Sequence, residues 1–89
     1  MKKTINITQR DIDKGERRNC EGCPVYLALR RTTNVQYVGV RDIGFIRGDG
    51  PDRFVLVKTP SRIRDFMVQF DDGHAVKPTR FTIEVPDDL

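Results

Sequence analysis

Thr4-Ile5-Asn6-Ile7 alternates polar and apolar residues, the period-2 pattern of a strand with one buried face, and predicts that Ile5 and Ile7 point inward. The period then changes. Thr8 stands three residues before Asp11, and Gly15 follows Lys14, so a capping box opens and a glycine closes a helix of one to two turns over 9–14. Residues 16–22 read as a charged connector. Pro24 suits a first helical position, where its missing N–H costs nothing, which makes Cys23 the N-cap of a second helix reaching Arg31 or Thr32. Val25, Ala28 and Leu29 share one stripe of it, Tyr26 and Arg30 a neighbouring one, with the arginines at the end where the dipole favours positive charge.

Residues 35–47 are β-rich, but Val38 and Val40 have one phase and Ile43 and Phe45 the other. A regular strand cannot bury both pairs, so the pattern predicts a bulge or kink near Arg41-Asp42, eased by Gly39 and Gly44. Gly48-Asp49-Gly50-Pro51-Asp52 supplies turn chemistry ahead of Phe54-Val55-Leu56-Val57, predicting a β-hairpin. Thr59-Pro60 repeats the cap-then-proline signature, and Ile63, Phe66, Met67 and Phe70 follow at helical spacing to form the main core helix, which Gly73 ends. Phe81, Ile83 and Val85 alternate with Arg80, Thr82 and Glu84 as a last strand. The order β-α-α-β-β-α-β predicts one small α+β domain over 1–89, with a mostly antiparallel sheet packed against its helices.

Composition narrows the class. At 37% hydrophobic and 33% charged residues, the chain is too apolar for disorder and carries a heavily charged surface. Met1-Lys2-Lys3 leads into no apolar stretch of signal-peptide length, and no transmembrane segment is present, which predicts a cytoplasmic protein without membrane partners and with cysteines kept as thiols. Net charge is +3, and eleven of the 16 basic residues are arginine. Arginine makes bidentate contacts to carboxylate and phosphate, so such a surface suits an acidic protein face or a nucleic-acid backbone.

Few residues suggest chemistry. Cys20-x-x-Cys23 has the spacing of half a zinc site, but His74 is the only histidine and there is no third cysteine, leaving four-ligand zinc incomplete within one chain. The same pair suits redox chemistry if the helix amides stabilise a Cys23 thiolate, although the βαβ setting of a thioredoxin motif is missing. The plain alternative is that Cys23 is a small buried cap. Gly48-x-Gly50 lacks the lysine and helix start of a phosphate loop. No catalytic set and no cofactor are predicted. In the 60–70 helix, Arg62 and Arg64 occupy the first turns and Asp71-Asp72 the end, the reverse of the dipole preference, at a few tenths of a kcal/mol per exposed charge. Either solvent screens them or the arginines hold an anionic partner.

The candidate partner-binding residues are Arg30, Arg31, Arg41, Arg47, Arg53, Arg62 and Arg64. As a nucleic-acid surface they lack aromatic interleaving, since only Tyr26, Tyr37 and Phe45 are candidates outside the core, which disfavours stacking on single strands.

Ile7-Thr8-Gln9-Arg10-Asp11-Ile12-Asp13-Lys14-Gly15, then Cys23-Pro24-Val25-Tyr26-Leu27-Ala28-Leu29, and later Asp65-Phe66 to Phe70-Asp71, resemble a group of small phage, prophage and bacterial proteins. These share an I-T-x-x-D-I-x-x-G segment, C-P-V-x-L-A, a hairpin and a D-F-x-x-x-F-D helix. The resemblance implies no catalytic residue. It implies an accessory protein that binds and inhibits a host protein or ribonucleoprotein complex, as an anti-CRISPR or other anti-defence inhibitor does. An arginine-rich nucleic-acid-binding regulator and a thiol-dependent redox protein are the alternatives.

Overall fold

A computed structural model describes residues 2–46 and 54–85. Three helices and five strands follow in the order β1 (Lys2–Ile7), α1 (Gln9–Lys14), α2 (Pro24–Arg30), β2 (Val35–Val38), β3 (Asp42–Ile46), β4 (Phe54–Lys58), α3 (Ser61–Asp71) and β5 (Thr79–Glu84). This is the expected α+β class, and every strand pairing among the described residues is antiparallel. The strands form two sheets, β1-β5 and β2-β3-β4, with α2 touching α1, β1 and β2 and so bridging them.

The period-2 and helical patterns reappear as burial. Ile5 and Ile7 of β1, Val25, Ala28 and Leu29 of α2, Ile63, Phe66 and Met67 of α3, and Phe81 and Ile83 of β5 enter one core cluster together with Val85. Phe70 is buried as well. α1 opens on the full capping box: the Asp11 amide donates to Thr8 Oγ1 at 3.2 Å and the Thr8 amide to Asp11 Oδ2 at 2.9 Å. α3 closes on a Schellman turn, where the His74 amide donates to the Gln69 carbonyl and the Gly73 amide to that of Phe70. Gly73 takes φ +83° there, a conformation that only glycine adopts without strain.

The phase change in 35–47 resolves more sharply than a kink. The chain reverses between Val38 and Asp42, with the Gly39 amide donating to the Asp42 carbonyl at 2.9 Å, so β2 and β3 are partners in a hairpin. The bulge lies upstream, between Val35 and Tyr37. It lets Val35 and Val38 both face the core opposite Phe45 and Ile43, which a regular strand forbids at a separation of three. The second hairpin, β3 to β4, forms with Asp42 opposite Lys58 and Ile46 opposite Phe54. Its turn residues 48–52 lie outside the described residues.

Three local expectations are corrected. α3 begins at Ser61 with Pro60 as N-cap and no side-chain cap bond. Thr59, expected to cap, is buried and donates its hydroxyl to the Gly39 carbonyl at 2.7 Å, while its amide donates to the Arg41 carbonyl at 3.0 Å. It staples the β2–β3 turn, a better use of a buried hydroxyl than leaving that turn's carbonyls unpaired. α2 stops at Arg30, with Arg31 as its C-cap. Phe45, expected outside the core, is completely buried, whereas Phe54 is 49% exposed.

Candidate functional site

The connector 16–22 is an ordered turn built on Asn19. Its carbonyl accepts from the Gly22 and Cys23 amides, and its side-chain oxygen accepts from the Glu21 amide. Arg18 takes φ +57°, uncommon for a residue with a Cβ, and its amide donates to Asp71 Oδ1 at 2.8 Å. Asp71 thus holds the connector against the end of α3. That use explains an acid at a terminus where the dipole disfavours it.

Cys23 caps α2 as expected, its Sγ accepting from the Tyr26 amide at 3.4 Å. It is 4% exposed. Burial pushes its thiol pKa up, and although the Tyr26 and Val25 amides pull the other way, Asp71 and Cys20 add to the rise. Burial therefore outweighs the helix amides, and the thiolate that redox chemistry needs is disfavoured. Cys20 is exposed. Among the described residues, no group of three or more His, Cys, Asp or Glu side chains converges as a metal site. No described helix is long and apolar enough to cross a membrane.

Two clefts flank the β2–β3 turn and share Val40, Arg41 and Asp42. The first, about 410 Å³, lies between the connector, the turn and α3, with Arg18, both cysteines, Tyr37, Met67 and Asp71 on its walls. The second, about 440 Å³, is closed by Lys58, Thr59 and Arg64. Val40 between them is 41% exposed. Four cations, Arg18, Arg41, Lys58 and Arg64, line the two clefts that Val40 shares, with Asp42 and Asp71 as acids on the same walls.

The proposed arginines do not share one surface. Arg41 and Arg64 meet at the second cleft. Arg62 lies on a third, beside residues 75–79, its Nη2 donating to Thr79 Oγ1 at 3.3 Å. Arg31 is occupied: both guanidinium Nη groups donate to the Asp11 carboxylate, and Nη2 also donates to the Asn6 carbonyl at 2.9 Å. It ties α2 to α1 and β1. Arg30 is exposed on α2, and Arg47 and Arg53 lie outside the described residues. Arg18 and Lys58 are not among the residues that the sequence singles out. Lys58 was findable from the hairpin register that sets it opposite Asp42, but nothing local marks Arg18.

On the outer face of β2-β3-β4, Tyr37 and Phe54 stack with ring centroids 6.0 Å apart. They close over Gly44, where a Cβ would lie 2.5 Å from Tyr37 Cε1 and 2.8 Å from Phe54 Cζ. Glycine is required by that approach. Tyr37, expected outside the core, thus has Phe54 beside it on the outer face, where Phe45 was the expected aromatic. No protein-family model, curated protein or solved structure matches the chain.

Proposed function

We propose that this protein is a non-enzymatic inhibitor of phage or prophage type that binds a host protein or ribonucleoprotein complex stoichiometrically, an anti-defence role that includes inhibition of CRISPR complexes. The carrying observation is the exposed Val40, set between two clefts lined by Arg18, Arg41, Lys58 and Arg64. Arginine is enriched among the residues that carry binding energy, and an apolar centre with a polar rim is the usual organisation of an interface. The segments resembling small phage proteins support the host-directed part of this reading. The buried Cys23 thiol, shifted upward, gives no support to thiol chemistry.

The test compares the tagged chain with a Val40→Asp/Arg41→Glu double variant in pull-downs from bacterial lysate, after thermal unfolding shows that both fold alike. The expected result is a stoichiometric host band with the parent and its loss with the variant. Recovery of no macromolecule, or equal recovery with both, refutes the reading. A nucleic-acid-binding regulator is favoured by one separate observation, the half-exposed Phe54 stacked on Tyr37. It predicts binding of a fluorescent oligonucleotide that weakens steeply with salt.

A further inference from the structure

β4 is an edge strand: it pairs with β3 on one side and with no other strand among the described residues. The opposite edge of the sheet is partly covered, since the Val38 amide donates to the Cys20 carbonyl at 2.9 Å. Natural edges are usually blunted by proline, a bulge or charges. Phe54-Val55-Leu56-Val57-Lys58 has no proline, pairs with β3 without a register shift and carries no charge before Lys58. Phe54 and Leu56 on its outer face are 49% and 54% exposed, and Val55 and Val57 on the core face are only half-buried.

The hydrogen bonds tell which main-chain groups remain open. Asp42 opposes Lys58, and the Thr59 amide donates to the Arg41 carbonyl, so odd-numbered residues here face β3. Because an antiparallel ladder alternates, the amides and carbonyls of Phe54, Leu56 and Lys58 point to the open edge.

We propose that this edge pairs with β4 of a second copy of this chain, antiparallel and two-fold symmetric about Leu56. Opposed residues in an antiparallel pair share a face, so each residue must meet one of its own parity. Centring on Leu56 meets that condition and uses all five residues: Leu56 opposes its symmetry mate, Phe54 opposes Lys58 of the second copy, and Val55 opposes Val57. The outward main-chain groups of residues 54, 56 and 58 then face one another. On the core side the half-buried valines of both copies adjoin. On the outer side the Lys58 methylenes lie along the Phe54 ring while the ammonium stays in water. Two three-stranded sheets become one of six strands. This inference does not depend on which host molecule is bound.

Sedimentation equilibrium of the purified protein at micromolar concentration is expected to show a dimer. Leu56→Lys sets two ammonium groups against each other across the axis, and the variant is expected to be a monomer with the parent's circular dichroism and a cooperative thermal transition that, unlike the parent's, does not move with protein concentration. A monomeric parent, or a Leu56→Lys variant that still dimerises, overturns the proposal. The register is tested in a Cys20→Ser background with oxidised glutathione. Leu56→Cys is expected to cross-link to its mate, and Phe54→Cys, which faces Lys58, is not. Failure of Leu56→Cys to cross-link, or preferential linking at position 54, overturns the pairing about Leu56.

Discussion

Asp11 is the residue on which the first third of the chain depends. Its Oδ2 accepts from the Thr8 amide and from Arg31 Nη2, its Oδ1 from Arg31 Nη1, and the residue is 4% exposed. Burial, the largest single influence, pushes its carboxyl pKa up, but the Arg31 guanidinium and the Thr8 groups outweigh it and hold the pKa below 3.8. A folded-state pKa below the unfolded one stabilises the fold above the ordinary carboxylate range, and the gain is lost as pH falls through the lower folded value. Asp11→Asn is therefore expected to cost about 2–3 kcal/mol near neutral pH, less than a fully buried pair because the Arg31 side chain is 49% exposed. Denaturant midpoints of parent and variant should converge as pH drops below about 4; a constant gap would show that the Asp11 charge contributes nothing. Cys23 gives a second expectation at this scale. Exposed Cys20 should alkylate readily, and Cys23 only when the protein unfolds, as mass spectrometry of iodoacetamide adducts would read. Fast native labelling of Cys23 would restore the redox reading.

α3 shows how one element serves two purposes. Ile63, Phe66, Met67 and Phe70 are buried on one face, and Arg62, Arg64, Asp65, Val68 and Gln69 are exposed on the other. Truncating a large aromatic in a core removes transfer energy and leaves a cavity, so Phe66→Ala should cost roughly 3–5 kcal/mol. That is a large part of the total stability of a domain this small. Among the described residues Arg64 has only an exposed 3.8 Å pairing with Asp65, so Arg64→Ala should leave stability within about 0.5 kcal/mol. Chemical denaturation separates the two; equal midpoints would mean that the helix face is misassigned. The reversed charges at its ends have separate causes. Asp71 is used by the connector and Arg62 by Thr79, while Arg64 faces the second cleft.

At the scale of the whole molecule, β1 and β5 are each other's only strand partners among the described residues, paired from Lys2 opposite Glu84 to Ile7 opposite Thr79. Removing residues 2–7 takes away the β1 partner of β5 and the buried Ile5 and Ile7, which share the core cluster with Phe81 and Ile83. Differential scanning calorimetry of that truncated chain is expected to show no cooperative transition. A retained transition would mean that the three-stranded sheet and α3 hold the core without the terminal sheet. The division of labour fits the functional reading, because the two clefts and the edge strand all lie on or beside the sheet that carries the β2–β3 turn.

The sequence by itself determined what short-range chemistry controls: the Thr8–Asp11 capping box, Cys23 and Pro24 opening α2, the apolar stripe of α3, Gly73 closing it, and the inward alternation of β1 and β5. Each depends on residues within a few positions of one another, where main-chain geometry fixes the spacing. Tertiary structure decided where competing local solutions existed. The two apolar phases of 35–47 fit a kink or a reversal equally well, and the choice was made by Thr59, twenty residues away, stapling the Gly39–Asp42 turn. The same reversal buried Phe45 and left Phe54 on the outer face. Arg31 looked as available as Arg30 until Asp11 and the Asn6 carbonyl took its donors. The cations lining the two clefts beside Val40 come from the connector, a hairpin turn, a strand end and a helix, because charged side chains carry no periodicity that reveals their distant neighbours.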